Sequence, residues 1–371
     1  MMVPLGPDFT IALGISSDSI GWINGTYSLT GAFSALLASR FLDRFPRKPS
    51  LLVALAGLSI GNFSVVFVAS LSGLLVTRVI AGMFSAAVYT LCLAVIIDLV
   101  AEHRRGRALG AVMASFSVAS VAGIPAGLEL ARIGGWKTPF IAMTFLALLA
   151  LLAIFYLLPA VPVSKKRTAP FSLLKRIRFT PYRLAFILAS IGLFGNFLLI
   201  PVLPAYLQFN LGFPREQFGL LYLIGGCAAF FFVRLAGFCV DRWSGFTMLL
   251  FSISLLSFVL YTGFLNEPSL VPVLAFFPMF MVANTTRHVT VTTVITKVPM
   301  PDERAGFMSV ITSLQNFAIA AGSFIASLFL TSESDGRLIG ISHLAMVTLI
   351  LAICLLPLLH RLETLLRRRQ P

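Results

Sequence analysis

Ser39-Arg40-Phe41-Leu42-Asp43-Arg44-Phe45-Pro46-Arg47-Lys48 breaks an oily chain with a knot of charge. Gly237-Phe238-Cys239-Val240-Asp241-Arg242-Trp243-Ser244-Gly245 does the same in the second half. Asp43 and Asp241 stand 198 positions apart, and each knot separates one long apolar run from the next. A second pair of anchors keeps almost the same offset. Arg104-Arg105-Gly106-Arg107-Ala108 precedes one apolar run and Glu303-Arg304-Ala305-Gly306-Phe307 another, with Arg105 and Arg304 199 positions apart. Two agreeing offsets read as an internal repeat.

The 371 residues are 58% hydrophobic and 11% charged, with a mean hydropathy of +0.95. That charged share falls far below the usual quarter, so the bilayer is the solvent to reason in. The net charge of +14 raises nucleic acid as a partner. Its distribution argues against that: the basic residues gather in short loops on one side of the apolar runs, as the positive-inside rule requires. The opposite loops hold only Arg132, Lys137, Arg215 and Arg337. Cys92, Cys227, Cys239 and Cys354 are scattered through apolar runs without metal-ligand spacing, so no metal and no cofactor are expected.

A helix needs about 20 apolar residues to cross the hydrocarbon, and it satisfies its own backbone there. Complete runs fall at 20–40, 50–70, 72–98, 106–133, 138–160, 183–208, 217–240, 246–265, 270–297, 304–330 and 338–359. The expected organisation is a bundle over 1–160, a basic cytoplasmic linker over 161–182, and a second bundle over 183–371 ending in a basic cytoplasmic tail. Five complete runs precede the linker and six follow it. Met1 to Asp8 reads as the outer end of a first span that has lost its opening turns. The expected fold is therefore all-α, two pseudo-symmetric six-helix bundles on a twelve-helix plan.

These residues resemble the major facilitator superfamily over nearly the whole chain. That family's loop between helices 2 and 3 reads Gly-x-x-x-Asp-Arg-x-Gly-Arg-Lys or Arg. Asp43, Arg44, Arg47 and Lys48 match it, while Ser39 and Pro46 replace the glycines. The resemblance implies a latch between the halves, with Asp98 a partner for Arg44 or Arg47, and Asp241 with Arg242 a weaker second copy. Leu74 to Gly82 is similar to the family's Arg-x-x-x-Gly element in helix 4, which makes Arg78 a coupling candidate. Ala122-Gly123-Ile124-Pro125-Ala126-Gly127 is similar to the Gly-Pro element of the family's exporters. Pro125 removes a backbone donor and bends the helix, so Gly123, Pro125 and Gly127 are the expected hinge.

Asn284-Thr285-Thr286-Arg287-His288 lies in the tenth run. Arg287 sits roughly 15 Å from the inner end at 1.5 Å per residue. An unpaired cation at that depth costs about 2.5–3.5 kcal/mol or more, so Arg287 should face a cavity or a buried acid. His288 titrates near neutrality when unperturbed. Asn24, Tyr27, Asn196, Gln208, Asn284 and Gln315 are the polar candidates for lining a cavity. Glu129 and Arg132, one turn apart, read as a local ion pair.

The resemblance implies a secondary active transporter, similar to the arabinose-efflux-permease-like and drug:proton antiporter exporters. It would move a small organic solute outward against protons, as a multi-pass monomer of the cell's inner membrane with a cytoplasmic C-terminus. The alternatives are a facilitator or importer of the same fold, and a non-transporting membrane sensor or membrane enzyme. The sequence offers no nucleophile with a base nearby, which weighs against the enzyme.

Overall fold

The computed structural model describes residues 2–41, 45–101, 104, 107–108, 110–112, 115, 118–159, 176–242, 244–266, 271–300 and 303–368, with only the backbone at 37–41, 97, 241 and 305. Among the described residues the chain folds into twelve helices of eight residues or more. In the first half these are α1 (Gly6–Leu13), α2 (Ile20–Phe41), α3 (Arg47–Phe63), α4 (Leu71–Leu99), α5 (Ile124–Gly134) and α6 (Thr138–Leu157). The second half holds α7 (Thr180–Leu199), α8 (Phe218–Arg242), α9 (Gly245–Leu260), α10 (Val273–Ile295), α11 (Arg304–Phe329) and α12 (Ile341–Arg367). A two-residue hairpin, β1 (Thr331–Ser332) with β2 (Leu338–Ile339), is the one sheet described.

The helix ends follow local chemistry. Pro46 and Ser70 sit at the N-termini of α3 and α4, and Ser70 Oγ accepts from the Gly73 amide at 3.2 Å. Gly14, at φ +62°, ends α1 in the left-handed conformation that glycine adopts without strain. α7 begins at Thr180, with Pro181 in its first turn, three residues before the expected span.

Eight of the helical segments are long and apolar enough to cross a membrane. α2 and α10 reach 22 and 23 residues but carry more polar side chains, and α5 continues a run whose earlier residues are only partly described. Glycines set the closest approaches. A Cβ on Gly61 of α3 would lie 2.6 Å from the Ala81 amide nitrogen of α4, so only glycine permits that crossing. In the second half α7 packs on both α11 and α12. α1, at eight residues, covers far less of the first half, and α6 buries only Pro139 and Phe140.

The helix ends divide between two faces of the bundle. One, the basic end, carries 45–48, 98–101, 104, 158–159, 176–179, 242, 244, 296–300, 303 and the end of α12. The other, the far end, carries 14–19, 64–70, 135–137, 211–217, 261–266, 271–272 and 330–340.

Candidate functional site

A narrow cleft opens between α7, α10 and α11. Leu188, Ala189, Gly192, Leu193 and Asn196 of α7 line it, with Arg287, His288 and Val291 of α10 and Gln315 of α11. Arg287 is 2% exposed and among the largest fully buried side chains described. Its Nη2 donates to Asn284 Oδ1 at 2.9 Å, one turn back on the same helix. The Asn284 amide nitrogen is already committed to the Phe280 carbonyl at 2.9 Å. Arg287 Nε finds no hydrogen-bond partner, and neither does Asn196 Oδ1 across the cleft. None of the ion pairs found among the described residues includes Arg287. His288 is exposed at the rim and Gln315 half-buried. The cleft thus brings together Arg287, His288, Asn196 and Gln315 from three helices, with Asn284 beneath them.

Arg78 stands apart from that cluster. It is 4% exposed, and its donors reach Gly61 O at 3.4 Å, Asn62 Oδ1 at 3.5 Å and Thr77 Oγ1 at 3.5 Å. It ties α4 to α3 near the far end. Asn24 donates to Ser323 Oγ of α11 at 2.9 Å, so it bridges the two halves. Tyr27 is half-buried, with its carbonyl against Gly82 of α4. Gln208 lies in a π-helical turn, Tyr206–Asn210, with its amide oxygen unpartnered.

At the basic end, Asp43 and Arg44 lie outside the described residues, as does the side chain of Asp241. Arg242 is exposed at the end of α8. Arg47, buried, donates from Nε to Asp98 Oδ2 at 3.1 Å, tying the start of α3 to the end of α4. Lys48 donates to the Leu158 carbonyl at 2.6 Å and sits over the Phe155 ring at 5.8 Å, adding the end of α6. In the second half Arg176 pairs with Glu303, Tyr182 donates to Glu303 Oε2 at 2.7 Å, and Glu363 accepts from the Gly245 amide at 2.8 Å. None of these contacts joins the first half to the second; Arg176 reaches Glu303 from the end of the linker.

Contacts across the halves gather elsewhere. Arg215, between α7 and α8, meets Asp8 of α1: Nε lies 3.0 Å from both carboxylate oxygens and Nη2 2.9 Å from Oδ2. Both side chains are largely buried, and the guanidinium stacks over Phe218 at 5.6 Å. Trp22 packs on Phe324 at 5.1 Å and Phe33 on Phe317 at 5.3 Å. On the opposite flank a π-helical turn, Ala119–Gly123, leads into Pro125. Gly226 of α8 packs on that turn, where a Cβ would sit 3.2 Å from Val121 Cα. Gly123 is exposed, Pro125 half-buried and Gly127 buried, so the glycine-proline element lies at a crossing between the halves.

The sequence singled out neither the Asp8–Arg215 pair nor the Ser323 and Gly226 contacts. One signal was there to find. Cations are scarce at the far end, and each of the four has a partner: Arg132 with Glu129, Arg215 with Asp8, Arg337 with Asp335, and Lys137 over Trp136 at 5.4 Å.

The family model described as Major Facilitator Superfamily matches residues 1–323 and 185–369. Among curated relatives, an uncharacterized MFS-type transporter, YbcL, of Bacillus subtilis (strain 168) is 24% identical over 352 residues, 92% of this chain and 87% of that protein. Multidrug resistance protein 1 of the same organism is 24% identical over 228 residues, 61% of this chain and 58% of that protein. A solved bacterial homolog of the human lysosomal transporter Spinster, in an inward-facing and unoccupied conformation, superposes with a TM-score of 0.77 at 16% identity. That match covers 99% of this chain and 93% of the solved one.

Proposed function

The chain belongs to the major facilitator superfamily of membrane transporters, and from that premise we propose that it exports a small organic solute by proton-coupled alternating access. The observation that carries the reading is the asymmetry of the ties. Among the described residues the contacts between the halves concentrate at the far end and the bundle's middle, while the ion pairs of the basic end do not cross between them. Taken with a cytoplasmic basic end, these ties support a state closed outside and open inside. The likeness to an inward-facing solved transporter supports the same reading.

In this proposal Asp43, Arg44, Arg47, Lys48 and Asp98 form the inner gate, with Asp241 and Arg242 as its second-half counterpart. The helix-5 turn at Gly123 to Gly127 is the hinge over which α8 rocks. The cleft at Arg287 is the solute site, with His288 and Gln315 at its mouth. The protein works as a monomer in the plasma membrane, and export is supported by the multidrug-resistance relative. A second reading, a facilitator of the same fold, is favoured by one observation: among the described residues no carboxylate sits in the middle of a span.

Everted membrane vesicles separate the two readings. An imposed gradient, acid inside, should drive accumulation of labelled chloramphenicol or of small labelled carboxylates above the outside concentration, and nigericin should abolish it. Equilibration to equal concentrations, unchanged by nigericin, would overturn proton-coupled export in favour of facilitation.

A further inference from the structure

We propose that the cleft between α7, α10 and α11 binds the carboxylate of an organic anion whose neighbouring hydroxyl or amine donates to Asn196. The inference rests on reading this cleft as the transport site. Arg287 is almost wholly buried, and its single observed partner is the neutral amide of Asn284. Asn284 brings no negative charge. A guanidinium held that way carries most of its desolvation cost uncompensated. Its fork is a bidentate match for a carboxylate, and Nε, the edge left without a partner, points to where one oxygen would bind.

Asn196 supplies the second observation. Its amide oxygen is buried, unpartnered, and lines the same cleft from α7. A carboxylate alone would satisfy the arginine and leave this acceptor unmet. A hydroxyl or amine next to the carboxylate would satisfy both. As it stands the cleft is nearly closed, with room of about 10 Å³, roughly that of one water, so the anion enters only as α7, α10 and α11 part around the Arg287 edge. The same charge repels lipophilic cations. The chain would then differ in substrate charge from exporters of cationic drugs.

Thermal melting of the purified full-length chain, with a panel of small 2-hydroxy and 2-amino carboxylates, mandelate among them, tests this against the matching neutral amides and tetraphenylphosphonium. Mandelate or another member of the panel should raise the melting temperature where its amide does not. Arg287→Gln should weaken that binding about a hundredfold, and Arg287→Lys less, because lysine keeps the charge and loses the fork. Without ligand, Arg287→Gln should melt no lower than the parent, since it removes an unpaired buried charge. Equal shifts from acid and amide, no anion-specific shift across the panel, or retention of the shift in Arg287→Gln would each overturn the proposal. Counterflow in proteoliposomes separates it from the reading beneath it. Anion binding without anion counterflow would leave the site and remove its transport role. Chloramphenicol transport unchanged by Arg287→Gln, with no anion binding, would leave transport and remove the site.

Discussion

Two buried arginines in this chain have opposite surroundings, and that difference decides what each substitution does. Arg78 spreads its donors over a carbonyl, an amide and a hydroxyl on α3 and α4, and so joins two helices of one half. Arg287 has one amide partner and an empty edge. Arg78→Gln should therefore lower stability by about 1–3 kcal/mol, the cost of stranding buried acceptors. Chemical or thermal unfolding in detergent measures it, and a loss as large in Arg287→Gln would contradict the distinction. Arg47 and Asp98 make a third case. The arginine is buried, so Asp98→Asn should cost more than Arg132→Gln, whose pair with Glu129 is exposed and screened by solvent. Sequence alone located Arg287, because a mid-span charge is costly wherever it occurs. It also placed Asn284 one turn away. That Asn196 and Gln315 line one cleft with Arg287 was beyond reach, since each was only one polar residue among several on its helix. Their convergence depends on how α7, α10 and α11 rotate against each other.

Period and punctuation made the elements legible. Apolar runs, charged knots and prolines placed the starts of α2–α4 and α6–α12 within three residues, while α3 and α7 end seven and nine residues before their apolar runs do and α12 runs eight residues past its own. The kink in helix 5 was expected at Pro125. It takes the form of a π-helical turn just before it, Ala119–Gly123, and that extra width faces Gly226 of α8. No property of either helix alone announces this crossing, since a glycine in a span reads the same whether it faces lipid or backbone. Gly226→Leu should wedge the crossing, because the nearest obstruction is main chain and cannot swing aside. The expected result is a population shifted toward the state open at the far end, with little change in helix content. Spin labels on 214 and 136, in a background lacking Cys92, Cys227, Cys239 and Cys354, should report a longer separation. An unchanged distance would show that α5 and α8 yield there without moving the halves.

At the scale of the whole molecule, the repeat at 198 and 199 positions reads as two like halves. What holds the halves together was not foretold, because those contacts join positions hundreds of residues apart. Asp8 and Arg215 are separated by 207 positions, and Asn24 and Ser323 by 299. The Asp8–Arg215 pair is charged on both sides, shares one Nε–H between both carboxylate oxygens, and is partly withdrawn from solvent. A state open at the far end must break it and rehydrate both groups, so the pair biases the equilibrium toward the closed far end. Removing one partner leaves the other charge partly buried without its mate, which penalises the closed state further. Asp8→Asn and Arg215→Gln should each shift the population toward the open far end by about 1.5–3 kcal/mol, the range of a hydrogen bond to a charged group. That is roughly tenfold or more in the ratio of the two states. The double exchange, Asp8→Arg with Arg215→Asp, should restore most of the original distribution. The same label pair reads all three. If the single variants leave the distance distribution unchanged, the far end is held by the α2–α11 and α5–α8 packing alone. Recovery in the double exchange would assign the bias to the ion pair, because packing alone gives no reason for two reversed charges to cancel each other's effect.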